Sequence, residues 1–273
     1  MRLQRVKLKE EYILEGVKMI KKQLAKNVFQ FVFKPLKERN VFSDTIITII
    51  NNKRALLIDT GFPREARQLK EYLKQEGITV EKIIISHWHP DHFLGLSEFP
   101  EAEVYGSGNH VETHVSEGMT AEKIEKFSKF TPINERTTLN FGDHQLELIP
   151  HVGHSVCTLL IKINEEFIFV ADDIILSLND ELMVPYLCGK GGKKEIIEKQ
   201  LQGFETLQNY SSFKIIPAHG SMFDGSKLAS YINNLTIYLN NIQNAEPPFE
   251  EAVVGCELKL VGESFHRHNI KLR

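Results

Sequence analysis

A chain of 273 residues, with 42% apolar and 25% charged side chains, has the composition of a globular protein and the length to bury one large core. Its net charge of −3 argues against a broad electrostatic grip on nucleic acid or an anionic membrane, and no window approaches the apolar length that spans a bilayer. Cys157, Cys188 and Cys256 are odd in number and lack C-x-x-C spacing, so a reducing compartment is expected rather than a disulfide framework.

The first stretch, "MRLQRVKLKEEYILEG", has charges but no continuous apolar run; no signal peptide is read, and the cytoplasm is the expected location. Residues up to about 26 read as a short N-terminal extension of a single domain covering 1–273. "NVFQFVF" and "DTIITII" then read as strands from their β-branched and aromatic content, and "RALLIDTG" as a buried strand ending at a turn. "PREARQLKEYLKQEG" predicts a helix with Pro63 near its start, Ala66, Leu69, Tyr72 and Leu73 on one face, and Gly77 at its end. "KIIIS" is another buried strand and "AEVYG" a further one; residues 107–140 are polar and partly helical. "HQLELIP", "CTLLIKI" and "EFIFVAD" read as three consecutive strands, followed by the amphipathic helix "KEIIEKQLQGFETL". "FKIIPAHG" is a strand that ends in a histidine, and "SKLASYINNLTIYLNNI" is a long helix within a helical tail from about residue 226. Two sets of strands with helices between them predict an α/β fold of packed sheets covered by helices.

The "KIIIS" strand leads into "HWHPDHFLG", which crowds His87, His89, Asp91 and His92 together. On a helix His87 and His89 would point about 200° apart, whereas in an extended segment they face the same way and can bind one ion. Asp91 and His92 are adjacent and cannot both follow that alternation. A turn at Pro90 would let them serve a second ion beside the first. All four are N/O ligands suited to a borderline metal.

"HWHPDHFLG" resembles the H-x-H-x-D-H-x-x-G motif of the metallo-β-lactamase-fold hydrolases, and the resemblance runs from about Asn27 to Tyr238. It implies a four-layer αββα sandwich with a metal site at one edge. Asp59 of "LLIDTG" resembles the family's aspartate behind the metal site; His154 of "HVGHS" resembles the third histidine of the first metal. Asp172 of "FVADD" resembles the carboxylate bridging both metals, and His219 of "IIPAHG" the last ligand of the second. Two departures stand out: Cys157 closes a motif that commonly ends in glycine, and Ala171 precedes the bridging aspartate where glycine is usual.

The resemblance implies two transition-metal ions. Zinc is the first candidate, with manganese or iron as the others. One would be held by His87, His89 and His154, the other by Asp91, His92 and His219, with Asp172 between. A metal-bridging hydroxide would attack an ester, lactone or thioester, with Asp91 orienting it and passing a proton to the leaving group. The alternatives within the family are a mononuclear iron persulfide dioxygenase and a metal-dependent phosphodiesterase. Class B β-lactamases lack the bridging aspartate, and the tyrosine found in many lactonases three residues after it is Ile175 here. The expected partner is a small molecule, with neither nucleic acid nor membrane, and a homodimer is one option for the assembly. No substrate-binding residue is identified; Leu182, Met183, Val184, Tyr186 and Leu187 are read either as an apolar pocket wall or as ordinary loop packing. Asp173 is expected to hydrogen-bond the following loop. His110 and His114 are expected on an exposed helix, Cys157 in the core, and "CGKGGKK" as a solvated turn.

Overall fold

Strand alternation dictates the layers. A computed structural model describes residues 4–6, 11–14, 17–35, 42–116, 118–127 and 129–272. One sheet runs β1 (Gln4–Val6), β2 (Glu11–Leu14), β3 (Val17–Ala25), β4 (Val28–Pro35), β5 (Asp44–Asn51), β6 (Arg54–Ile58), β7 (Thr79–Ile85), β8 (Glu103–Ser107) and β9 (Thr131–Ile133), neighbours in sequence being neighbours in space. The other runs β10 (Thr137–Phe141), β11 (His144–His151), β12 (Thr158–Ile163), β13 (Phe167–Phe169), β14 (Lys214–Ile216) and β15 (Phe223–Asp224), again in chain order. The segment expected to be an N-terminal extension is therefore part of the first sheet, Val17–Ala25 pairing with β2 on one side and β4 on the other.

Successive side chains on a strand point to opposite faces. Ile47, Ile49, Leu56, Ile58 and Ile84 of the first sheet meet Leu159, Ile161, Phe167, Phe169 and Ile216 of the second in one buried cluster between them. Their neighbours in sequence face outward. Ile46, Ala55, Leu57, Ile83 and Ile85 pack on the helix α1 (Pro63–Gln75) through Ala66, Leu69, Tyr72 and Leu73. Leu160, Ile168 and Ile215 pack on the helices later in the chain. After α1 come α2 (Pro90–Phe93), α3 (His110–Ser116) and α4 (Ala121–Lys126), then α5 (Lys193–Leu207), α6 (Leu228–Gln243), α7 (Phe249–Ala252) and α8 (Glu263–Asn269). The result is the expected α/β fold, with helices outside two facing sheets.

Two connections carry the chemistry. The parallel pair β6–β7 is joined by α1, and the parallel pair β13–β14 by α5, so the carboxyl ends of these four strands collect at one edge. Among the described residues, no helix is long and apolar enough to cross a membrane.

Candidate metal centre

β7 ends at Ile85, and the chain then stays extended to His89 (φ −88°, ψ 152°) before Pro90 starts the short α2. Proline suits the first helical position, where its missing N–H is not needed. The single turn that follows carries Asp91 and His92, which gives the motif its switch from extended to helical. Gly95 is required by close approach: a Cβ there would lie 2.6 Å from both the Ala66 Cβ and the Thr60 carbonyl oxygen. The turn after β6 locks onto the motif through this contact, with Thr60 N donating to the His92 carbonyl at 2.8 Å and Gly95 N to the Gly61 carbonyl at 2.9 Å.

Seven buried or nearly buried side chains converge at the strand ends as two ligand-type groups sharing Asp172: His87, His89, His154 and Asp172, and Asp91, His92, Asp172 and His219. In the first, His87 Nε2 and His154 Nε2 each lie 2.9 Å from His89 Nδ1. Asp172 Oδ2 stands 3.7 Å from both of those Nε2 atoms. In the second, Asp172 Oδ1 is 3.4 Å from His92 Nε2 and 3.3 Å from His219 Nε2. Asp91 completes it, its oxygens 3.7 Å from His92 Nε2 and 3.5 Å from His219 Nε2.

Donor atoms around a four-coordinate ion with bonds of about 2.0–2.1 Å stand roughly 3.3 Å apart, the spacing seen here to within a few tenths of an ångström. The protonation chemistry agrees. Burial, reinforced by the neighbouring imidazoles, pushes His87 well below its ordinary range, and burial with His154 pushes His89 down to about 3. Neutral rings therefore turn lone pairs toward one another, which a cation reconciles. In the second group His92 Nε2 and Asp172 Oδ1 are buried without a hydrogen-bond partner. Burial favours the neutral Asp172 carboxyl, but His219, His92 and His87 outweigh it and hold the group well below the usual carboxylate range. Burial opposes charge on Asp91 too, yet His92 and His219 bring it down to about 2. The donor set fits borderline divalent ions.

The outer contacts fix ring orientation. Asp59, in a left-handed conformation (φ 63°), accepts from Ser86 N at 2.7 Å and Ser86 Oγ at 2.8 Å, and its Oδ2 lies 2.8 Å from His92 Nδ1. His219 Nδ1 donates to the Ser43 carbonyl at 2.9 Å, which turns its Nε2 toward the group. Such braces set tautomer and basicity in metal sites.

Asp173 does not hydrogen-bond the loop that follows it, contrary to what its position in the sequence predicts. β13 ends at Phe169 and Ala171 is left-handed (φ 48°), so Asp172 and Asp173 are separated by a turn and not by pleat. The left-handed backbone also accounts for glycine being the usual residue at that position. Asp173 reaches back to the earlier "HVGHS" loop and not on to the following one: it accepts from His154 N at 2.8 Å and Gln200 Nε2 at 3.1 Å, and stands 3.2 Å from His151 Nε2. Gly153 is needed there, since a Cβ would lie 2.1 Å from the Asp173 carboxylate.

The remaining histidines stay outside both groups. His144 pairs with Asn164, His266 with Tyr238 and the Pro247 carbonyl, and His268 with the Leu187 carbonyl. His114 is not exposed as its helix pattern predicts; it is buried against Trp88 and Phe93, with ring centroids 5.4 and 4.9 Å away. Its partners come from another segment, which local spacing cannot reveal. Cys157 is a core residue as expected, near Thr113 and Ser155.

Three neighbours of the centre carry no motif. Cys188 Sγ lies 3.7 Å from His89 Nε2 and 3.8 Å from His154 Nε2, and donates to the His154 carbonyl at 3.2 Å. Phe42 and Phe265 join Tyr186 around a cleft of about 180 Å³ that reaches Asp91, Asp172 and His219. Leu182, Val184 and Leu187 pack instead into the core beneath α5 and α6, so of that loop only Tyr186 lines the cleft.

The metallo-beta-lactamase superfamily model matches residues 41–219. Among curated proteins, the chain is 30% identical over 125 residues to a hydroxyacylglutathione hydrolase of Vibrio campbellii, covering 43% of this chain and 46% of that one. It is 22% identical over 197 residues to a beta-lactamase-like protein 2 homolog of Drosophila melanogaster, covering 67% and 61%. The chain thus spans about half to three-fifths of the length of these relatives. Among solved structures, a metallo-beta-lactamase from Pontibacter korlensis superposes with a TM-score of 0.64 at 18% identity, over 79% of this chain and 99% of that one. The DIM-1 metallo-beta-lactamase does so with 0.58 at 17%, over 79% and 95%. At these identities the likeness speaks for the fold.

Proposed function

The chain belongs to the metallo-beta-lactamase superfamily, and on that premise we propose that it is a dinuclear metal-dependent hydrolase of carboxylic esters or thioesters. The observation that carries the reading is the sharing of Asp172: one oxygen faces His87 and His154, the other faces His92 and His219. A bridging carboxylate between two donor sets fits a pair of ions. The hydroxyacylglutathione hydrolases among the relatives favour a thioester as the bond cut. Zinc is the first choice for the donor set, and the cytoplasm remains the expected location.

Bound in the two groups, divalent ions supply Lewis acidity that acidifies water and polarises a carbonyl. The chain's own residues do the rest. His87, His89 and His154 would hold one ion, and Asp59 and the Ser43 carbonyl keep His92 and His219 in position. Asp91, held ionised by His92 and His219, is an acceptor at rest. It takes the proton of the attacking water and returns it to the leaving sulfur or oxygen. The completeness of the second donor group favours this reading over a mononuclear iron dioxygenase, which needs only the first.

Metal analysis combined with assays tests it. The expected result is two ions per chain, with thioester hydrolysis abolished by chelation and restored by metal. Recovery of one iron with oxygen consumption on a persulfide would replace the reading with the dioxygenase. Efficient phosphodiester cleavage without carbonyl turnover would replace it with the phosphodiesterase.

A further inference from the structure

We propose that the acyl part of the substrate is an uncharged apolar group, a single aromatic ring or a chain of similar size, seated against Phe42, Tyr186 and Phe265. This rests on the hydrolase reading and names its substrate class. The cleft of about 180 Å³ opens onto Asp91, Asp172 and His219, and its other described walls are His89, Phe42, Pro90, Ile175, Tyr186 and Phe265. A cavity of roughly 150 Å³ suffices for a benzene ring.

The lining chemistry chooses among acyl groups. The non-ligand walls present carbon, with the Tyr186 hydroxyl as their one polar side-chain group. None of the described lining residues is lysine or arginine. A carboxylate on the acyl group would be stripped of water against Phe42, Tyr186 and Phe265 with no lysine or arginine among the described lining residues to pair with it. A hydroxyl would surrender its hydration against aromatic rings. An aromatic ring or alkyl chain loses nothing polar and gains the burial. The other flank, beyond His89 and His154, is a narrow mixed surface where Glu112, Lys190 and Lys199 stand beside Val156 and Ile196. Charged parts of a substrate find partners on that flank, which leaves the aromatic cleft for the apolar acyl group.

The aromatic wall is also held in place. The Phe42 ring lies 4.3 Å from His219 and 5.9 Å from Phe265, and Tyr186 lies 5.2 Å from Phe265. His268 stacks on Tyr186 at 4.4 Å and 20°, while its Nε2 donates to the Leu187 carbonyl at 2.9 Å. Asn269 clamps the same segment, accepting from Leu187 N at 3.0 Å and donating to the Pro185 carbonyl at 2.7 Å. The Tyr186 and Phe265 part of the wall is thus a braced surface built by the Pro185–Leu187 segment and α8, and Phe42 joins it from the segment before β5.

The test uses the metal-loaded full chain and thioesters of one thiol, N-acetylcysteamine, bearing phenylacetyl, hexanoyl, lactoyl or succinyl groups. The first two are expected to exceed the others in kcat/KM by about tenfold or more, and Phe265→Ala and Tyr186→Ala to bring the ratio toward unity. A binding arm uses metal-free protein titrated calorimetrically with phenylacetamide and lactamide. Only phenylacetamide is expected to bind, with affinity lowered in both variants and largely kept in Phe265→Leu. Equal rates across the series, preference for lactoyl or succinyl, or preference that follows the thiol when it is varied would overturn the inference. Loss of all thioester turnover, with selective phenylacetamide binding retained, would overturn the hydrolase reading and leave the apolar cleft standing.

Discussion

The first ligand group sets three imidazoles around one carboxylate oxygen, whereas the second sets two carboxylates against two imidazoles. The difference shows in how each group carries charge. In the second, His92 and His219 rise well above their ordinary range despite burial, because Asp172, Asp91 and Asp59 surround them; charge is balanced internally. In the first, His87 and His89 fall, because burial and like neighbours penalise their protonated forms. The second group balances charge among its own residues, whereas the first sets three imidazoles against a single carboxylate.

Removing the shared carboxylate should produce the largest effect, because it dismantles both groups at once. Asp172→Ala is expected to bind neither ion tightly and to lose turnover. Asp173→Ala should keep both ions and lose stability by about 1–3 kcal/mol, from the unsatisfied His154 N–H and Gln200 amide. Metal content and thermal unfolding of the two variants decide it; metal loss confined to Asp173→Ala would move the bridge by one residue.

A smaller and one-sided effect is expected from Asp59→Asn, since Asp59 touches His92 and no ligand of the first group. Affinity at the second group should fall roughly 10- to 100-fold, with the first much less affected. Competition with a chromophoric chelator reads the two steps separately, and equal weakening of both would erase the contrast between the groups.

The smallest effect concerns His114, a buried imidazole packed on Trp88 and Phe93 that has no carboxylate partner among the described residues. Burial, with His110, pushes it down to about 4. The unfolded chain therefore takes up the proton first, near pH 6.5. His114 thus contributes stability that is complete above that pH and is lost as the pH falls toward 4, on the order of 2 kcal/mol. In metal-free protein, His114→Leu should flatten this acid limb in denaturant titrations. An unchanged limb would show that His114 is already protonated in the fold.

What the sequence discloses follows the range of the interactions. His87, His89, Asp91 and His92 were legible because one short segment supplies their geometry, and the layers because alternation is a local rule. The turn at Ala171 broke that rule, so Asp173 turned back to the "HVGHS" loop and not onward. His114 was hidden because Trp88 and Phe93 bury it from elsewhere in the chain. Phe42 and Phe265 gave no signal because two aromatics far apart in sequence share a wall only after the tail has docked.

Strand order in both sheets follows the chain without a single crossing of sequence. Each half can assemble by adding neighbours, a route that closes short loops first and favours rapid, semi-independent formation of the two halves. The ligands are divided between those halves: His87, His89, Asp91 and His92 in the first, His154, Asp172 and His219 in the second. Ions bound between them would act as a late staple, coupling two foldons that also meet in the apolar layer between the sheets and through bonds such as His219 Nδ1 to the Ser43 carbonyl. Metal loading would then set how cooperatively the chain unfolds.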